Sequence, residues 1–256
     1  MGQTVFSDKE HPYELDVKNA ILANPQLFGN IGISKVISEK SIHEFSVIAD
    51  LLIFSSIKGA IGIEIKTEHD STHRLNKQLR AYESLCTEVW VVVHDKLYED
   101  TLKVLKANSH PSVGVITYST YEGKIVFGII KEAIISDNFS AYHLLNVLWK
   151  TELLIMANRI NVMAVDNNTQ DIVTIKNAGQ PHPDGKDKVL TKRATKRQLI
   201  IYIIDRLGKL GAYQMVVDMF VNEIKDPAKV LKYYSFKEIK TQDTEVYNVK
   251  AKRKKN

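Results

Sequence analysis

The chain has 256 residues, 44% of them hydrophobic and 25% charged, with a formal net charge of +5. That length and apolar content suit one large domain or two small ones with a full core. No apolar run approaches the ~18 residues that cross a bilayer, and the N-terminal MGQTVFSDKEHPYELD has neither the basic-then-apolar order of a secretory signal nor a hydroxyl at position 6 for myristoylation. Cys86 is the only cysteine, which excludes an internal disulfide and a cysteine metal cluster, so a cytoplasmic location is expected.

Residues 13–24 read as a helix, with Val17, Ala20, Ile21 and Asn24 on one face, Pro12 before its start and Gly29 beyond its end. Glu14 lies at the edge of that face. Strands are expected at 31–38, 46–54 and 60–66, then a loop from Thr67 to Thr72 and a helix over 73–86. Cys86 follows Leu85 on the apolar face of that helix and reads as a packed side chain. A buried strand at 88–93 (EVWVVV), a helix near 95–107, a strand near 113–118 and a hairpin into 125–130 complete the run. The order is αβββαβ with αββ appended, an α/β layer with helices packed on a central mixed sheet.

A change of style falls at 137–140, dividing a core at 1–136 from a helical region at 137–249. From Tyr142 the stripe Leu144, Leu145, Leu148, Leu153 and Met156 predicts helix. Residues 164–188 are polar and rich in turn formers, a loop with room for one short hairpin. Helices are expected again near 190–207, 211–225 and 227–234, and 235–249 reads as a short strand or irregular. Gly208 and Gly211 bracket a turn, and whether 189–225 forms a helix-turn-helix stays open. Positive charge collects in two blocks, KDKVLTKRATKR at 186–197 and the tail KAKRKKN at 250–256. Such blocks suit phosphate contacts, and equally a solvated helix face and a free tail.

The informative stretch is SVIADLLIFSSIKGAIGIEIKTEHDSTHRLNKQLRAY, Ser46 to Tyr82. Its hairpin tip falls near Ile57, among Ser55, Ser56, Lys58 and Gly59. A register symmetric about Ile57 places Asp50 across from Glu64, with Cβ atoms about 4.5–5.5 Å apart, and the strand period puts Lys66 on the face of Glu64. Strand 46–54 is apolar on both faces (Val47, Ala49, Leu51 and Ile53 against Ile48, Leu52 and Phe54), as in a covered sheet. A lone carboxylate there costs several kcal/mol, so it must be paired, protonated or cation-bound. Two adjacent carboxylates suit Mg²⁺ or Mn²⁺. A buried Asp–Lys or Glu–Lys ion pair is the alternative.

EIKT at 64–67 followed by QLRAY at 78–82, within this element order, resembles the PD-(D/E)XK nuclease superfamily and its RecB-like branch. The segments FSVIADLLIF, GIEIKTEHDSTHRLNKQLRAYESLCTEVWVVV and LLNVLWKTELL are similar to an uncharacterised bacterial and phage group related to MmcB-like DNA-repair proteins, over about residues 10–160. Val47-Ile48-Ala49 precede Asp50 where the wider superfamily often has Pro-Asp. The resemblance implies a restriction-endonuclease-like αβββαβ core. It also implies Asp50 and Glu64 as metal-binding acids, Lys66 as the catalytic lysine and Glu14 as the acid from the first helix.

The chemistry would be phosphodiester hydrolysis. Mg²⁺ or Mn²⁺ held by Asp50, Glu64 and the Ile65 backbone carbonyl would lower the pKa of bound water and clamp a phosphate oxygen. Lys66 would orient the attacking water or stabilise developing charge. Gln78 and Tyr82, one helical turn apart, would steady the site or hold a strand; a helix-edge Gln and a core Tyr are the alternative. Arg74, Lys77 and Arg80, with Lys192, Arg193, Lys196 and Arg197, are phosphate-contact candidates; solvated surface is the alternative for the first three. His69 and His73 share i, i+4 spacing, but Ser71 and Thr72 read as cap residues, so a zinc pair is not expected. The expected partner is DNA, with RNA open, and no membrane. A protein partner through the helical region and a dimer also stay open. The competing functions are a nuclease, a non-cleaving binder on a nuclease fold, and a regulatory interaction protein.

Overall fold

The structure, a computed structural model, describes residues 13–165, 172–174 and 194–222. The helix expected at 227–234, the tail at 250–256, Lys192 and Arg193 lie outside the described residues. The chain divides into two compact units, Met1–Phe139 and Ser140–Asn256.

The first unit is built on a six-stranded mixed sheet whose strands lie side by side in chain order. Helix α1 (Glu14–Ala23) precedes strands β1 (Ser34–Ile42), β2 (Val47–Ser55) and β3 (Gly59–Lys66), which form an antiparallel meander. Helix α2 (Leu75–Leu85) crosses to β4 (Glu88–His94), and α3 (Tyr98–Ala107) crosses to β5 (Gly114–Tyr121). Both crossovers join parallel neighbours, as helix-length connections must. A two-residue turn then returns β6 (Lys124–Lys131) antiparallel to β5. This is the expected order of elements.

Strand alternation divides the core. Leu51, Ile53, Ile61, Ile63, Ile65, Trp90, Val92, Ile116 and Tyr118 gather with Val17 and Ile21 of α1 in one cluster. The other face of β3 packs against α2. A Cβ on Gly62 would collide with the Tyr82 ring and come 3.0 Å from Cys86 Sγ, so glycine lets the helix lie against the strand. Cys86 is fully buried there.

Two elements and one burial expectation differ from the sequence reading for physical reasons. β1 starts three residues later and runs to Ile42, through a polar stretch (SEKS) in which Glu39 takes a left-handed φ of 53° that breaks the alternation. α2 begins at Leu75 rather than residue 73, because Asp70 Oδ2 accepts from the Thr67 amide and hydroxyl (2.8 and 2.7 Å) and holds the preceding turn. Ile48, expected under a covered sheet, is 61% exposed, so that end of β2 has one open face.

In the second unit Ser140 Oγ caps α4 (Ala141–Leu145), and α5 (Lys150–Val162) follows. Leu144, Leu145, Leu148, Leu153 and Met156 are buried as the stripe predicts. Met163–Val165 (β7) and Ile172–Thr174 (β8) form the short antiparallel hairpin. Helix α6 spans Lys196–Val221, capped by Thr195 with Gln198 in a reciprocal capping box. The two helices expected here abut at Gly208, whose φ of 73° and ψ of 164° are not helical, with Gly211 buried just beyond. Among the described residues no helix is long and apolar enough to cross a membrane.

Candidate active site

The hairpin register is the symmetric one, with Leu51 opposite Ile63, Ile53 opposite Ile61 and Ser55 opposite Gly59. One step further lie Asp50 and Glu64, where the ladder stops. The Asp50 amide donates to Tyr82 Oη (2.8 Å), whose hydroxyl donates to the Ile63 carbonyl (3.1 Å). The Asp50 carboxylate accepts from the Ile65 amide (2.8 Å). Side chains from β2 and α2 thus satisfy backbone groups at the point where the strands part, as buried N–H groups require. On the far side of β2 the register passes from Ser38 opposite Leu51 to Lys40 opposite Ala49. Glu39 therefore stands across from Asp50, and three acids, Glu39, Asp50 and Glu64, occupy one cross-strand row.

Lys66 Nζ donates to Glu64 Oε1 (2.7 Å) and Gln78 Oε1 (3.1 Å). Both members of this ion pair are buried. Glu64 Oε2 is buried with no hydrogen-bond partner. Burial pushes the Glu64 carboxyl up to about 7, reinforced by the Asp50 charge and opposed by Lys66. Burial likewise lifts Asp50 to about 6, opposed by the Ile65 amide and reinforced by Glu14. Tyr82 is raised well above its usual range, chiefly by burial and then by the Glu64 and Asp50 charges, so its phenol stays neutral.

The remaining expected residues fall as follows. Glu14 sits at the N-terminus of α1, half-exposed, in a 2.6 Å ion pair with Lys18. Its charge reaches Asp50, but its carboxylate is engaged by the lysine. Lys18 and Glu39 were not singled out by sequence. Lys18 lies on the buried side of α1 and pairs with both Glu14 and, at 3.4 Å, Glu39. The i, i+4 spacing of Glu14 and Lys18 was a readable signal; Glu39 needed the longer β1.

Arg74, Lys77 and Arg80 are exposed at α2, with Arg80 Nε donating to Asn76 Oδ1 (3.2 Å). Arg197 is exposed, whereas Lys196 Nζ donates to the Asn146 carbonyl at the end of α4. His69 lies in the turn after β3 and His73 before the start of α2, so the pair shares no helix.

Among the described residues no three His, Cys, Asp or Glu side chains form a metal-ligand cluster. The donor set at the strand split is two desolvated carboxylates, one with an unpartnered oxygen. That set fits Mg²⁺ or Mn²⁺, since Mg²⁺ commonly takes one or two protein carboxylates and fills its shell with water and substrate phosphate.

No solved structure matches the chain. Protein cII of Enterobacteria phage P4 is 26% identical over 149 residues, covering 58% of this chain and 54% of that protein, so the chain spans about half the length of this curated relative. The family model described as bacteriophage P4 protein cII matches residues 7–180, which takes in α1, the whole sheet and α5. By that match the chain belongs to the bacteriophage P4 protein cII family.

Proposed function

We propose that the chain is a metal-dependent nuclease that hydrolyses DNA phosphodiester bonds, with a core of the restriction-endonuclease-like, PD-(D/E)XK type. The observation that carries this reading is the strand split. Asp50 and Glu64 stand one step beyond the last paired residues, Leu51 and Ile63, ionisation of both is opposed by burial, Glu64 Oε2 has no partner, and Lys66 bonds to Glu64. An ordinary core would fill such a position with apolar side chains at lower cost.

Mg²⁺ or Mn²⁺ bound there supplies a water of lowered pKa and neutralises charge on the phosphate. Asp50 and Glu64 would hold the ion, with the Ile65 carbonyl as a further oxygen. Lys66 has three donors, of which Glu64 and Gln78 take two; the third would be available to the attacking water or a phosphate oxygen. Gln78 fixes the lysine. Tyr82 is a positioning residue, since its hydroxyl joins Asp50 to Ile63. Arg74, Lys77 and Arg80 would track the DNA backbone, and roles in repair, recombination or phage–host conflict fit a phage protein family.

A second reading is a non-cleaving nucleic-acid-binding or regulatory protein on the same fold. It is favoured by the Lys66–Glu64 contact, which already neutralises one acid, and by the lack of a third carboxylate ligand among the described residues. The test is incubation of the protein with labelled DNA of several structures and Mg²⁺ or Mn²⁺. Cleavage that disappears in Asp50→Ala, Glu64→Ala and Lys66→Ala supports the nuclease. Binding without cleavage across substrates and ions supports the second reading.

A further inference from the structure

Lys18 is an unusual choice for the buried side of an amphipathic helix. Its neighbours Val17, Ala20 and Ile21 face the core, and Lys18 itself is 8% exposed. An ammonium in that place must be matched by charge. It is held by Glu14 at 2.6 Å and by Glu39 at 3.4 Å. Glu39 stands on β1 opposite Asp50 of β2, and the Lys18 and Lys66 charges both act on Asp50. Lys66 is spoken for by Glu64 and Gln78. Each lysine is thus bonded to other acids of the site, Lys18 to Glu14 and Glu39 and Lys66 to Glu64, whose second carboxylate oxygen is buried with no partner.

We propose that Lys18 is the resident counter-ion of this acid row, a tethered ammonium against which any entering cation competes, and that it makes the row select divalent over monovalent ions. This rests on the metal-binding reading above. A monovalent ion brings the same single charge as the lysine but must be drawn from bulk solution, whereas Lys18 is delivered by the helix at high effective concentration. A divalent ion brings twice the charge to the same point and prevails. Removing the ammonium has two consequences: divalent ions bind more tightly, and Na⁺ becomes a competitor.

The experiment is calorimetric titration of Mn²⁺ into the full chain at constant ionic strength, in choline chloride and again in NaCl. Lys18→Met and Lys18→Arg are titrated beside wild type, and unfolding midpoints check that each folds. Wild type and Lys18→Arg should bind Mn²⁺ equally in both salts. Lys18→Met should bind about ten-fold more tightly in choline and lose much of that gain in NaCl. If Lys18→Met does not fold, Lys18→Gln carries the same expectation. Neutral variants that bind no more tightly than a Mn²⁺-binding wild type overturn the Lys18 assignment alone. Absence of Mn²⁺ binding in every form overturns it together with the metal-binding reading.

Discussion

Glu64→Gln should stabilise the protein at alkaline pH. Burial next to Asp50 raises the Glu64 carboxyl from its ordinary 4.5 to about 7. The folded state thus holds this proton more tightly than the unfolded chain, so ionisation opposes folding. The stability linked to this group is full below about pH 4.5 and is lost as the pH rises through 7. At 1.36 kcal/mol per pKa unit, the difference corresponds to roughly 3 kcal/mol at pH 8. Glutamine imitates the protonated acid in size and charge and keeps an oxygen for Lys66 Nζ. The variant should therefore gain about 2–4 kcal/mol at pH 8, or roughly 5–12 °C in unfolding midpoint for a protein of this size. At pH 4 the advantage should vanish, because the acid is then protonated in both states. Urea unfolding followed by tryptophan fluorescence at the two pH values measures this directly; Trp90 is buried in the sheet core. A variant that is destabilised at pH 8, or whose advantage persists at pH 4, would refute the reasoning. Saturating Mn²⁺ should flatten the pH dependence of wild type and leave Glu64→Gln nearly unaffected.

Tyr82→Phe keeps the ring over Gly62 but strips the Asp50 amide and the Ile63 carbonyl of their shared hydroxyl. It should cost about 1–3 kcal/mol, and an unfolding free energy equal to wild type would show that the hydroxyl does not bridge the strands. Gly62→Ala drives a methyl into that ring and should cost at least 1–3 kcal/mol by overpacking, read by the same denaturation experiment. Replacing Arg74, Lys77 and Arg80 together by Gln should weaken binding to duplex DNA and flatten its log–log salt dependence by about 2–3. An unchanged slope in a fluorescence-anisotropy titration would assign these residues to plain surface.

Much of this was legible in the chain because the signals were local. The Ile57 turn and the even spacing on either side fixed the Asp50–Glu64 register, and the E-x-K alternation fixed Lys66 beside Glu64. The order of strands and helices followed from short apolar runs separated by helical periodicity. What stayed hidden depended on contacts distant in sequence. Glu39 joins the acid row only because β1 continues through a polar, kinked stretch that reads as loop. Lys18 carries no sequence signal beyond its i, i+4 spacing from Glu14, and its contact with Glu39 depends on where the helix meets the sheet. The Lys66–Glu64 contact, by contrast, is local, and it is the buried Glu–Lys ion pair that the sequence offers as the alternative to a metal site. Tyr82 is a core residue, fully buried, whose hydroxyl accepts from the Asp50 amide, a contact that depends on how the helix lies on the strand.

The most direct test of a catalytic strand split compares wild type and Asp50→Asn on labelled DNA with Mn²⁺, after a cooperative unfolding transition has shown that each is folded. Wild-type cleavage that is lost with the single carboxylate, and lost equally when EDTA replaces the metal, is the predicted result. Undiminished cleavage by Asp50→Asn, or none by wild type on single-stranded, duplex and branched substrates alike, would contradict it.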